Sequence, residues 1–126
     1  VFPYSQKVFD ILGKTGVPKI HFGVGTGELL KLMSDVGADV VGIDWRVSID
    51  TARERIGSQK AVQGNLDPAI LGGSWSSIES ETIAILKKIG GKPGHIFNLG
   101  HGVTPDVNPD VLKRVVELVH EFRLET

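Results

Sequence analysis

The 126 residues carry 14 Lys and Arg against 15 Asp and Glu, with 40% hydrophobic side chains; this suits one soluble domain and offers no basic surface for nucleic acid. There is no cysteine, which excludes disulfide frameworks, thiolate metal sites and cysteine nucleophiles and is compatible with a reducing compartment. No apolar run approaches the ~18 residues of a membrane span, so a cytoplasmic protein is expected.

The chain opens on a segment, Tyr4 to Leu12, that reads as the end of a helix belonging to a preceding unit. The only methionine is Met33, so position 1 is not read as a translation start, and the chain is expected to be a piece of something longer. Four strand-helix units follow. The first strand is expected at Lys19 to Phe22, and its helix at Thr26 to Val36, with Leu29, Leu30, Leu32, Met33 and Val36 as a broad apolar stripe. The second strand, Asp39 to Ile43, leads to a helix at Ile49 to Ile56 that Gly57 closes as a left-handed cap. The third strand lies at Lys60 to Gln63. After the turn at Asp67-Pro68, a helix-start signal, comes a helix from Ser77 to Ile89, whose Ser76-Ser77-Ile78-Glu79 opening has capping-box spacing. The fourth strand is His95 to Leu99. The last helix opens at Asn108-Pro109, with Asn as cap and Pro in the first turn, and buries Val111, Leu112, Val115, Val116, Val119 and Phe122. Alternating Val/Ile runs and helical segments mean an α/β protein with parallel strands, expected side by side in sequence order.

In such folds ligand chemistry gathers where strands end. The four exits read Phe22-Gly23-Val24-Gly25-Thr26-Gly27, Asp44-Trp45-Arg46, Gln63-Gly64-Asn65-Leu66-Asp67-Pro68 and Asn98-Leu99-Gly100-His101-Gly102. Most of these residues have two readings. The first glycines can simply make a tight turn. Asp44 can hydrogen-bond a neighbouring loop or touch a ligand, Trp45 can pack or stack, and Gln63 and Asn65 can satisfy backbone groups or a substrate. His21, His95 and His120 read as structural or solvated. His101 stands apart, because a histidine between two glycines after an apolar strand has little to pack against and is exposed for function.

One competing enzyme class fits the first half. Gly23-Val24-Gly25-Thr26-Gly27 followed by Val40-Val41-Gly42-Ile43-Asp44 looks like a nucleotide or S-adenosylmethionine site, in which Asp44 would accept from ribose hydroxyls. Against it, His21 stands where such methyltransferases carry an acidic residue, and the fourth exit goes unused. That reading requires an open sheet with the first strand central.

The segments Val40-Val41-Gly42-Ile43-Asp44-Trp45, Val62-Gln63-Gly64-Asn65-Leu66-Asp67-Pro68 and Phe97-Asn98-Leu99-Gly100-His101-Gly102 closely resemble, in order and spacing, three motifs of uroporphyrinogen decarboxylases. The similarity runs on through Thr104-Pro105-Asp106-Val107-Asn108-Pro109 and back to Phe2-Pro3-Tyr4. It implies that residues 1–126 form one unit, the C-terminal half of a TIM (β/α)8 barrel. The whole protein would remove the acetate carboxylates of uroporphyrinogen III to give coproporphyrinogen III in haem biosynthesis, without metal or organic cofactor. The resemblance also implies a cytoplasmic homodimer. His101 matches the family histidine near the substrate propionate and pyrrole groups, while Asp44, Gln63 and Asn65 are candidate pocket-rim residues. His101, Asp44 and Asn65 are expected to face one opening. The family's N-terminal arginines, its pyrrole-binding aspartate and its mid-chain tyrosine and serine have no counterpart here, so the segment alone is expected to be inactive. Half a barrel leaves two strand edges and an apolar inner face that another chain could cover. A non-enzymatic half-barrel module is the remaining alternative.

Overall fold

The computed structural model describes residues 1–125. Its centre is a parallel sheet of four strands, β1 (Ile20–Phe22), β2 (Val40–Gly42), β3 (Ala61–Gln63) and β4 (His95–Ile96), paired in the order β1-β2-β3-β4. Consecutive parallel strands need a crossover, and helices supply it. They are α1 (Phe2–Leu12) before the sheet, α2 (Leu30–Asp35), α3 (Ile49–Ile56), α4 (Trp75–Ile89) and α5 (Pro109–Glu121). This is an arc of a (β/α)8 barrel, with β1 at an edge. The S-adenosylmethionine reading needed the first strand at the centre, so the observed order removes it.

Register divides the sheet into two chemically different faces. Val41 and Val62 pair across β2 and β3 and, with Ile43, point to the helices, where Leu30, Met33, Ile49, Ala52, Ile56 and Ile89 bury them. A second cluster, Leu66, Leu71, Ile78 and Val115, joins α4 to α5, and Ile85 on α4 packs against both. Side chains alternate along a strand, so the other face carries Ile20 and Phe22 of β1, Gln63 of β3 and Ile96 of β4. Phe22, Gly42, Gln63 and Ile96 share one register level. Ile20, Phe22 and Ile96 are exposed, which leaves an apolar inner surface.

Several local expectations need correction. The segment after β1 is a 3-10 turn, Gly27–Leu29, joined to a short α2, and only Leu30, Met33 and Val36 of the expected stripe are buried; Leu29 and Leu32 are exposed. The change from 3-10 to α rotates the side chains out of a single 3.6-residue stripe. Gly57 ends α3 with a positive φ of 89°, but its ψ of 168° takes it out of the left-handed helical region, so it is not a left-handed helical cap. The α4 helix begins two residues earlier than the Ser76-to-Glu79 spacing implied, because Ser74 accepts from Ser77 N–H and takes the N-cap position. Val116 is exposed, and Val115 is the fully buried anchor of α5. The fourth strand stops at Ile96, after which Leu99 makes a lone bridge to Leu66. Asn108 caps α5 by accepting from Asp110 N–H, and Asp67 caps the 3-10 turn Pro68–Gly72 by accepting from Ala69 N–H, both as expected.

Replacing Ser74 with Ala removes the cap of the longest helix and is expected to cost about 1 kcal/mol in urea denaturation. Ser76→Ala, two residues further into the first turn, is expected to stay within about 0.5 kcal/mol of the parent chain; the opposite ranking would restore Ser76 as the cap.

Candidate substrate rim at the strand ends

The β2 exit, Asp44 to Val47, is the point to which the other three exits are tied. Asp44 is 3% exposed. Its Oδ2 accepts from Gly25 N–H at 2.6 Å and from Arg46 Nη1 at 2.9 Å, and its Oδ1 accepts from Arg46 N–H at 3.1 Å. Burial, the largest single influence, pushes the carboxyl up, but the Gly25 and Arg46 amides and the guanidinium together outweigh it and hold Asp44 below its ordinary value of 3.8. The residue is ionised and committed to the loops after β1 and β2. Its ring of donors answers the two readings of the sequence in favour of a loop tie.

Asn65, at the β3 exit, is 6% exposed. Its Nδ2 donates to the backbone carbonyls of Asp44, at 2.9 Å, and Val47, so this side chain splints the β3 exit to the β2 exit. The β4 exit arrives by close backbone approach. A Cβ on Gly100 would lie 2.5 Å from Trp45 N, and Gly100 N–H donates to Leu66 O at 2.7 Å, so only glycine lets this loop reach its neighbour. Gly27 similarly lies against the Val47 side chain, and Arg55 of α3 donates to Gly27 O at 2.7 Å while pairing with Glu28.

The expectation that His101, Asp44 and Asn65 share one opening is corrected by this geometry. Asp44 and Asn65 lie beneath the rim: the Asp44 carboxylate is taken up by the Gly25 and Arg46 amides and the Arg46 guanidinium, and Asn65 Nδ2 by two backbone carbonyls. Asn65 borders a separate cleft between α3 and α4, lined also by Trp45, Ser48 and Lys88. His101 is exposed and lines a cleft of about 450 Å³ with Phe22, Gln63, Asn98 and Leu112. Gln63 therefore keeps company with His101, at the inner-face register level of Phe22. Asn98, one strand over, joins them in the cleft although no signal beyond its strand-exit position marked it.

His101 makes a T-shaped contact with Trp45, with centroids 6.0 Å apart and planes at 85°. The other neighbour of that indole is Arg46, whose guanidinium carbon sits 4.1 Å from the ring centroid. Trp45 thus works as a spacer between two groups that can carry positive charge. His21 and His95 have structural partners: His21 Nδ1 lies 3.2 Å from Met33 O, and His95 Nε2 donates to Gly64 O at 2.8 Å. Burial, opposed by the Gly64 carbonyl and aided by Arg53, holds His95 below its ordinary value of 6.5, so a neutral ring serves there as a backbone tie. Among the described residues, no group of three His, Asp or Glu side chains is arranged to hold a metal ion. No described helix is long and apolar enough to cross a membrane.

The family model described as Uroporphyrinogen decarboxylase (URO-D) matches residues 1–122. The uroporphyrinogen decarboxylase of Salinispora tropica is 59% identical over 122 residues, which are 97% of this chain and 33% of that protein. That of Streptomyces avermitilis is 57% identical over 120 residues, 95% of this chain and 34% of that protein. The chain thus spans about a third of the length of the curated relatives it matches. Among solved structures, a methyltransferase from Methanosarcina mazei superposes with a TM-score of 0.80 at 20% identity, covering 96% of this chain and 35% of that one; this likeness shows the fold alone.

The tie through Asp44 has a pH signature. A carboxyl that titrates lower in the fold than in the unfolded chain contributes stability that is present above the unfolded value, near 3.8, and lost as pH falls through the folded value. Asp44→Asn, which turns an amide donor toward Gly25 or Arg46, is expected to lower stability by roughly 2 kcal/mol at pH 7. The gap to the parent chain should shrink as the pH is taken below about 4, and a gap independent of pH would show that ionised Asp44 is not the source.

Proposed function

The chain belongs to the uroporphyrinogen decarboxylase family, and from that premise we propose that it forms one wall of the substrate pocket of a longer carboxy-lyase. That enzyme converts uroporphyrinogen III to coproporphyrinogen III in cytoplasmic haem biosynthesis, by removing acetate carboxylates without metal or organic cofactor. Its partner is a cyclic tetrapyrrole bearing acetate and propionate side chains, and it works as a homodimer. The exposed inner surface of Ile20, Phe22 and Ile96 would be covered by the remaining strands of the barrel.

The observation that carries this reading is the exposed His101 ring, in T-shaped contact with Trp45, at the cleft that Gln63 and Asn98 share. A histidine so placed can donate to a carboxylate whether its ring is neutral or protonated. Gln63 and Asn98 add amide groups at the same mouth, and Phe22 gives the floor an aromatic surface against which a pyrrole can lie. Asp44 and Asn65 contribute from below, by fixing the loops that carry Trp45 and the His101 segment. In this arrangement the described residues bind and orient; proton delivery to a pyrrole carbon and stabilisation of the resulting cation belong to groups outside this chain.

Two measurements test the proposal. The chain alone, freed of host enzyme, is expected to show no decarboxylation of uroporphyrinogen, and turnover by it would overturn the pocket-wall assignment. In the full-length enzyme, His101→Ala is expected to lower kcat/KM roughly ten- to a hundredfold with little change in Tm, the scale of one charge-assisted hydrogen bond. A lowered Tm with normal kinetics would make His101 structural instead.

A further inference from the structure

The rim holds a cationic group that the sequence motifs did not single out. Arg46 follows Trp45 directly, and its side chain is 50% exposed while its partner Asp44 is 2% exposed. One of its five N–H groups is engaged, by Asp44 Oδ2 at 2.9 Å. The others have no partner among the described residues. The guanidinium also lies on the Trp45 face at 4.1 Å. Two fixed surfaces therefore hold it: a buried carboxylate from below and an indole from the side.

Such a group is pre-ordered. An arginine loses rotamer freedom when it clamps an anion, and here Asp44 and Trp45 have already removed much of that freedom in the fold. The planar fork then presents its free N–H groups in a fixed direction, the arrangement that suits bidentate carboxylate recognition. Because Arg46 lies over the Trp45 ring and His101 makes a T-shaped contact with the same ring, the three side chains form one continuous strip along the strand ends. The exits of β2 and β4 thus present two carboxylate donors separated by an aromatic spacer.

Resting on the decarboxylase reading above, we propose that Arg46 is a substrate-binding residue that clamps a non-reacting propionate carboxylate of the tetrapyrrole, beside the group held by His101. The choice of propionate over acetate follows from the chemistry. An acetate about to lose CO2 must give up its negative charge to the ring, so a cation fastened to it would stabilise the ground state more than the transition state and slow the step. A clamp on a side chain that does not react binds both states equally, so it fixes the macrocycle without that penalty. The same clamp should hold product, because propionates survive the reaction and acetates do not.

The test uses the full-length enzyme with Arg46→Gln and Arg46→Lys, at a temperature where circular dichroism shows every form folded. Arg46→Gln is expected to raise KM for uroporphyrinogen about tenfold, the scale of one charged hydrogen bond, with the loss carried by KM rather than kcat. The inhibition constant for coproporphyrinogen should rise by a similar factor. Arg46→Lys, which keeps the charge but loses the fork, is expected to recover part of both. A product constant that stays at the wild-type value while KM rises would place Arg46 on an acetate and overturn the proposal. So would a loss confined to kcat, or a lysine variant no better than glutamine. Failure of the wild-type enzyme to turn over uroporphyrinogen would instead sink the decarboxylase reading, and the Arg46 assignment with it.

Discussion

The ionised carboxylate of Asp44, buried under three donors, is the interaction on which the rim of this protein depends. A carboxylate is stable at that depth only while its oxygens are satisfied, and the groups that satisfy it come from two different strand exits, Gly25 after β1 and Arg46 after β2. Asn65 carries the same tie to the β3 exit by donating to the Asp44 and Val47 carbonyls, and Gly100 brings the β4 exit against the Trp45 amide. The other three loops are therefore tied to one four-residue segment. Moving the β1 or β3 exit requires breaking a hydrogen bond to this segment, and the β4 exit is held against it by the close approach of Gly100.

This arrangement separates two kinds of polar residue that look alike in one dimension. Asp44 and Asn65 are buried and tie neighbouring loops through hydrogen bonds to backbone and to Arg46, so they build. His101 and Arg46 are exposed and lean on Trp45 from two sides, so they remain free to bind. The buried set sets the geometry of the exposed set, since Asp44 holds the Arg46 guanidinium directly and Gly100 positions the residue next to it. Precision at a binding site commonly needs this layering, because an exposed side chain with no support samples many rotamers and loses entropy on capture.

The sheet shows a parallel division between its two faces. The face carrying Val41, Ile43 and Val62 is sealed by α2, α3 and α4, whereas Ile20, Phe22 and Ile96 stand exposed on the other. A parallel strand of a barrel is normally buried on both sides, and this chain covers one of them. The polar groups of the inner face, Gln63 and Asn98, lie toward the strand ends beside His101, where a barrel receives its ligand.

Much of this was legible in one dimension. Valine and isoleucine runs of strand length, separated by segments of helical period, marked four units and their order, because which side chains must be buried is written in their spacing. Asn108-Pro109 and Asp67-Pro68 marked helix starts, because a cap acts on amides two residues away. Local signals failed where two candidates competed. Ser74 and Ser76 are equally good caps by chemistry, and the structure places Ser74 at the cap, accepting from Ser77 N–H; Leu29 and Leu32 matched a helical stripe that a 3-10 turn then broke. The site was harder, and for a physical reason. The sequence by itself determined that polar residues gather after each strand and that His101 is exposed between glycines. Only the tertiary structure decided that Asp44 and Asn65 would be consumed as ties, and that Arg46 would be braced at the surface. The partners that make this difference, Gly25, Val47 and Trp45, come from neighbouring exits or fold back within one, and the distance across a parallel sheet is not encoded in the distance along a chain.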